Sequence, residues 1–320
     1  MSRRGTLLFA AMCVIWGVPY LLIRVAVREM SPADVVVLRT GGAALVLFPF
    51  ALRQASWRPL LHRWRLLLLY TAVELAVPWW LLTTAEEHLS SALSGLLIAA
   101  VPLLGVVLAR ASGDTEPIGR VRLAGLGVGI VGVAALVGLQ VGHVDLLAVG
   151  AVLLTAVGYA AGPIVLSRGL SDLPAVGVVW TSLVLTAIVW SPAVILSPPS
   201  QVSAHAALAV VGLAVVCSAV AFLLFFALIA EVGPARATVI TYVNPAVAIL
   251  LGVLVLGERF TTGIAVGFPL VLAGSVLATR RTVAVPGPEA AAELPPPPLP
   301  DVVLDVSVSG CASSHSDRHV

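Results

Sequence analysis

Apolar stretches about 20 residues long recur along most of the chain, separated by short polar interruptions. Each is long enough to cross a bilayer core about 30 Å thick as a helix. Cutting wherever charges, Pro/Ser clusters or Gly/Asp turns intervene gives ten: 6–27, 33–52, 65–84, 90–109, 120–139, 145–166, 174–196, 205–230, 235–256 and 261–279. Lipid offers no partner to a backbone amide or carbonyl, so a spanning segment of this kind bonds to itself and is helical. The predicted fold class is an all-α membrane protein with ten transmembrane helices, sequence neighbours antiparallel because their connections are short. Composition agrees: 11% of the residues are charged, against roughly 25% in a soluble domain, too few to cover a water-facing surface.

The basic residues are all arginine, and a net charge of +2 gives no reason to expect a nucleic-acid partner. Their distribution carries more information. Arg3, Arg4, Arg53, Arg58, Arg63, Arg65, Arg110, Arg120, Arg122, Arg168, Arg236, Arg280 and Arg281 fall on one set of alternate loops, whereas the other set holds Arg28 and Arg259 and the acidic "AEEH" at 85–88. Basic residues in short loops stay on the cytoplasmic side, which predicts a multi-pass membrane protein with both termini in the cytoplasm. The N-terminus "MSRRGTLLFAAMCVIWG" has a basic start, but its apolar run continues to Val27 without a small-residue cleavage site, so it is read as the first span. Cys13, Cys217 and Cys311 are isolated, which suits neither a disulfide framework nor a metal site. From 282 to 320 the chain is rich in Pro, Ala and Ser and is read as a disordered cytoplasmic tail, "PPPPLP" included.

Sliding the chain against itself by 142 residues aligns Pro32 with Pro174, Glu116 with Glu258, Gly125 with Gly267 and Gly132 with Gly274; Pro102 meets Pro245 after a one-residue gap. Residues 1–139 and 140–281 then form two repeats of five spans each. Five is odd, so the second repeat enters the membrane from the opposite side, and Glu116 and Glu258 fall on opposite faces. Inverted repeats meeting near the midplane are the architecture of secondary transporters. A proline inside a span leaves a carbonyl unbonded, so Pro19, Pro78, Pro102, Pro163 and Pro245 are expected to face the bundle interior.

The segments "GPARATVITYVNPAVAILLGVLVLGERFTTGIAVGFPLVLAGSVLATR" (233–280), "LSSALSGLLIAAVPLLGVVLARASGDTEPIGRVRLAGLGVGIVGVAALV" (89–137), "IWGVPYLLIR" (15–24) and "PADVVVLRTGGAALV" (32–46) resemble EamA-type members of the drug/metabolite transporter superfamily. The likeness covers residues 5–281. It implies ten helices in two inverted repeats, a location in the cytoplasmic membrane, and transport of small metabolites, often export. The first copy departs from the pattern, reading "SGDTEP" where the family's glycine–glutamate is tighter, and the Pro-rich tail is an addition.

Two ionisable residues lie deep within spans. Arg39 is roughly 9 Å inside the second span, and Glu74 is near the middle of the third. Charges there cost about 2.5–3.5 kcal/mol to insert and normally face the bundle interior. Glu74 is a candidate proton-titrating or amine-binding carboxylate, with Arg39 as its switchable partner or as a carboxylate-binding group; the competing reading is a structural ion pair between two helices. Trp16, Tyr20, Tyr159, Trp180, Tyr242 and Asn244 are candidate cavity-lining residues. Trp79, Trp80 and Trp190, near span ends, are assigned to the interfacial belt. Pro102, Pro245 and Glu258 are candidate hinge or gating positions. "GLGVG" (125–129) and "GIAVG" (263–267) are small-residue faces for close helix packing, within one chain or between two in a homodimer.

No HExxH, GxSxG, P-loop or GxGxxG in a strand–helix setting occurs, so neither enzymatic activity nor any cofactor or metal is expected, and gradients such as that of protons are left as the driving force. The expected partners are the lipid bilayer and a small-molecule substrate. An intramembrane enzyme acting on lipid-linked substrates, or a non-transporting regulatory membrane protein, is the alternative; the acidic and histidine cluster such an enzyme needs is approached only at Glu86, Glu87 and His88.

Overall fold

A computed structural model describes residues 2–279 apart from 55–56, 114–118, 141–143, 198 and 200. Glu116, Arg280, Arg281 and the 282–320 tail lie outside the described residues. Among those described there are nine helices of spanning length: α1 (Arg3–Ala26), α2 (Pro32–Gln54), α3 (Trp64–Ala85), α4 (Ser91–Ala111), α5 (Arg120–Gly138), α6 (Leu146–Ser167), α7 (Ala175–Leu196), α8 (Ala204–Val232) and α10 (Thr262–Thr279). The shorter apolar α9 (Ile240–Leu256) makes ten. It begins later than the predicted 235 because Pro234–Ala237 forms a separate turn of helix.

Polar residues at the span boundaries start these helices. Ser2, Ser90, Asp145 and Ser203 each accept a bond from a first-turn amide of α1, α4, α6 and α8, and Ser31 and Asp34 exchange bonds at the start of α2. Such caps satisfy donors that have no helical partner.

Prolines reshape the interiors of the spans. The α1 segment breaks at Trp16–Val18 just before Pro19, and α4 divides at Ala99–Ala100 just before Pro102. In α3 a wide π turn occupies Ala72–Ala76, directly ahead of Pro78, whose missing N–H leaves the Glu74 carbonyl without its helical donor. A second π turn, Val215–Val220, interrupts α8. Pro19, Pro78 and Pro245 are buried as expected; Pro102 is half-buried, and Pro163 is exposed on the outside of the bundle, contrary to expectation. Lipid-facing exposure there leaves the freed carbonyl to local helix adjustment instead of to a cavity.

The helices pack in a consistent set of pairs: α2 on α7, α4 on α9, α5 on α10, α3 on α6 and α1 on α8. The α5–α10 contact is made by backbones. A Cβ on Gly125 would lie 2.5 Å from the Ala278 nitrogen, and one on Gly132 would lie 2.6 Å from that of Val271. The small-residue faces of both helices are therefore used within this chain.

Candidate functional site

Arg39 is the centre of the polar interior. Only 6% exposed, it stands where α2 faces α3 and α8, its Cζ 3.7 Å from the centroid of the Trp79 ring, and its Nε donates to Ser218 Oγ at 2.9 Å. Tyr20 of α1, Tyr159 of α6, Cys217 of α8 and Glu86 at the end of α3 are the ionisable groups around it. Ser218 and Cys217 both sit on the π turn of α8, and Glu74 sits on that of α3. In a regular α-helix residues 74 and 79 would point about 140° apart; a turn that pairs residues i and i+5 brings them to the same side.

Arg39 and Glu74 do not pair. One oxygen of Glu74 is enclosed without a hydrogen-bond partner, and its carboxylate occupies space that any side chain at Gly162 of α6 would fill. Among the described residues an ion pair forms instead between Arg63 and Asp172, at the loop end of α3, where Arg63 holds the Asp172 carboxyl below its usual range. Arg39 thus has five donors, one of them spent on a neutral hydroxyl, and no bonded carboxylate among the described residues. A buried cation without a counter-charge is costly, and the Trp79 face returns only about 2 kcal/mol. The arrangement is suited to receive an anion.

Of the other candidates, Tyr20 and Tyr159 belong to this cluster, and Tyr159 faces the Trp79 side chain. Trp16 packs instead between α1 and α8, with ring centroids 4.7 Å from Phe225 and 6.2 Å from Phe222. Trp180 joins α7 to α2: its ring meets Phe48 and Trp57 and its Nε1 donates to the Ala44 carbonyl. Tyr242 shares a hydrogen bond with Thr279 between α9 and α10. The Asn244 amide, oriented to donate, bonds the Ile240 and Cys13 carbonyls and ties α9 to α1. These four make packing contacts with neighbouring helices. Trp79, assigned to the interfacial belt on its position, is 6% exposed and forms the floor under the guanidinium; Trp80 and Trp190 stack on each other at 4.8 Å.

Glu258 has a definite structural task. Gly257, at φ 67°, ends α9 in a left-handed conformation, and the carboxylate that follows accepts from Ser91 N (2.7 Å), Ala92 N (3.0 Å) and Ser91 Oγ (3.1 Å). It therefore caps the N-terminus of α4, where helix donors and dipole both favour an anion. Gly252 leaves the room this needs, since a Cβ there would meet Ser91 Oγ at 2.8 Å. Glu258→Ala is expected to lower stability by about 1–2 kcal/mol, the range for a lost cap, with Glu258→Gln losing less; thermal unfolding in detergent measures both.

The EamA-like transporter family model matches residues 3–138 and, a second time, 146–280. This chain belongs to that family. It is accordingly an EamA-type membrane transporter of the drug/metabolite transporter superfamily, embedded in a lipid bilayer and acting on small molecules. It is 28% identical over 263 residues to the uncharacterized inner membrane transporter YedA of Escherichia coli K12, covering 78% of this chain and 82% of that one, and equally similar to YedA of the O157:H7 strain. A solved crystal structure at 21% identity shares the fold, with a TM-score of 0.59 over 86% of this chain and 96% of the other.

Proposed function

We propose that this EamA-type protein exports small carboxylate-bearing amphipathic metabolites, amino acids or related compounds, across the inner membrane by alternating access. The observation that carries the reading is Arg39: a buried guanidinium, oriented by Ser218 and Trp79, with no bonded carboxylate among the described residues. A substrate carboxylate supplies the missing charge, the aromatic and hydroxyl groups of Tyr20, Tyr159 and Trp79 take its apolar and polar parts, and Glu74 is placed to accept a proton or an ammonium group.

Rocking of two inverted repeats, 1–139 and 140–281, is the motion we assign to it. Three features support the duplication. The family matches each half separately, and α2/α7, α4/α9 and α5/α10 each join a helix to its counterpart while α3/α6 and α1/α8 exchange places. The two π turns also fall on counterparts, α3 and α8. On this reading the end of the bundle holding Glu29, Glu86 and Glu258 is the outer one, both termini are cytoplasmic, and the Glu258 contact to α4 is a latch joining the repeats.

The test is thermal stabilisation of the purified protein by amino acids, compared with their methyl esters and decarboxylated amines. Stabilisation by the acids alone is expected; equal stabilisation by ester and acid contradicts a carboxylate anchor.

A further inference from the structure

Among the described residues, enclosed side-chain oxygens or nitrogens without a partner occur on Asp34, Glu74, Thr84, Glu86, Ser94 and Gln140. All except Glu74 lie at the Glu258 end of the bundle. Glu86 stands out because both of its carboxylate oxygens are orphaned and the residue is 0% exposed. The neighbouring Arg24 does not relieve it: its guanidinium bonds the backbone carbonyls of Glu86 and Glu87. Glu258, the adjacent acid, has its oxygens occupied by the start of α4. Six atoms of this kind at one end are what a polar vestibule becomes when it closes, since water would satisfy them when it opens.

We propose that Glu86 is a proton-binding site of this vestibule, protonated while the Glu258 latch on α4 is closed and exchanging its proton with the aqueous phase when the latch opens. The inference rests on the two-state reading above for the opening step, and on geometry alone for the protonated closed state. The charged and titratable groups that face Glu86 are Tyr20 and Arg24 of α1, Arg39 of α2, Tyr159 of α6 and Glu258 after α9. Burial, with Glu258 adding to it, pushes the carboxyl of Glu86, one residue beyond its span, well above the usual range; Arg24 and Arg39 oppose this.

Two measurements made without substrate test it, so their failure is separable from failure of the transport reading. The first is the thermal midpoint of wild type and Glu86→Gln against pH. The folded protein keeps a proton that the unfolded chain loses near about pH 4, so wild type sheds stability as pH rises from there toward the folded value, and the glutamine variant does not. Expected is a higher midpoint for Glu86→Gln above neutrality and a gap that closes toward acid; a gap independent of pH overturns the assignment. The second is labelling by the apolar reagent dicyclohexylcarbodiimide, which reacts with protonated carboxyls, followed by peptide mass mapping. Labelling at Glu86 at neutral pH, several-fold faster in Glu258→Gln, is expected; labelling confined to other residues, or a rate indifferent to Glu258→Gln, overturns the latch-gated site.

Discussion

Gly132→Val or Gly274→Val is expected to abolish recovery of folded, monodisperse protein from detergent. At Gly132 and Gly274 the α5–α10 helices meet backbone to backbone: a Cβ at Gly132 would lie 2.6 Å from the Val271 nitrogen and 2.9 Å from Leu270 Cβ, and one at Gly274 would lie 2.7 Å from the Gly125 carbonyl oxygen. Backbone cannot rotate away as a side chain can, so the helices must separate and lose their packing along the whole contact. The cost exceeds the roughly 1–3 kcal/mol of ordinary overpacking. Gly127, on the same helix, has nothing within 4 Å of its Cβ position and is exposed. Gly127→Ala is therefore expected to fold as well as wild type, with a gain of about 0.5–1 kcal/mol from helix propensity. Size-exclusion profiles and thermal midpoints of the three variants separate packing at the crossing from a general intolerance of larger residues.

The largest functional effect is expected at Arg39. Arg39→Ala should eliminate stabilisation by carboxylate ligands, since a charge-assisted contact in a buried setting is worth about 1.5–3 kcal/mol, a loss of roughly 10- to 150-fold in affinity. Arg39→Lys should recover little of it: an ammonium has neither the planar fork for a carboxylate nor the stacking surface that lies on Trp79. The unliganded variants should be no less stable than wild type, because removing a buried cation without a bonded counter-charge relieves a desolvation cost. Ligand-dependent shifts in melting, read beside the unliganded midpoints, measure the two quantities separately.

The scaffold was largely legible in the chain and the wiring of its interior was not. Spans and their ends could be read because apolar length and capping residues act locally: Ser90 and Asp145 start α4 and α6 where the polar interruptions end. Arg39, Tyr20 and Tyr159 could be singled out as interior groups because polar groups at depth are rare. Trp79 and Ser218 escaped because their orientation depends on wide turns in α3 and α8, which change the face a residue presents without leaving a mark in apolar periodicity. Glu74, though brought to the same side as Trp79, does not meet Arg39, because its carboxylate lies against Gly162 of α6 instead. Glu86 was legible only as part of an acidic loop; its burial comes from α1 and the α9–α10 hairpin folding over it, contacts separated from it by 62 residues in one direction and more than twice that in the other. Trp16 and Trp180 show the converse, aromatics at suitable depth whose partners are other rings on neighbouring helices.

The most direct measurement is counterflow in proteoliposomes. Vesicles holding wild-type protein are loaded with one unlabelled amino acid at a time and diluted into a trace of its radiolabelled form. Transient accumulation of label for at least one carboxylate-bearing compound, absent in Arg39→Ala, is the predicted result. Counterflow that survives Arg39→Ala unchanged would contradict a carboxylate site at the centre of this transporter, as would the failure of every carboxylate-bearing compound to exchange.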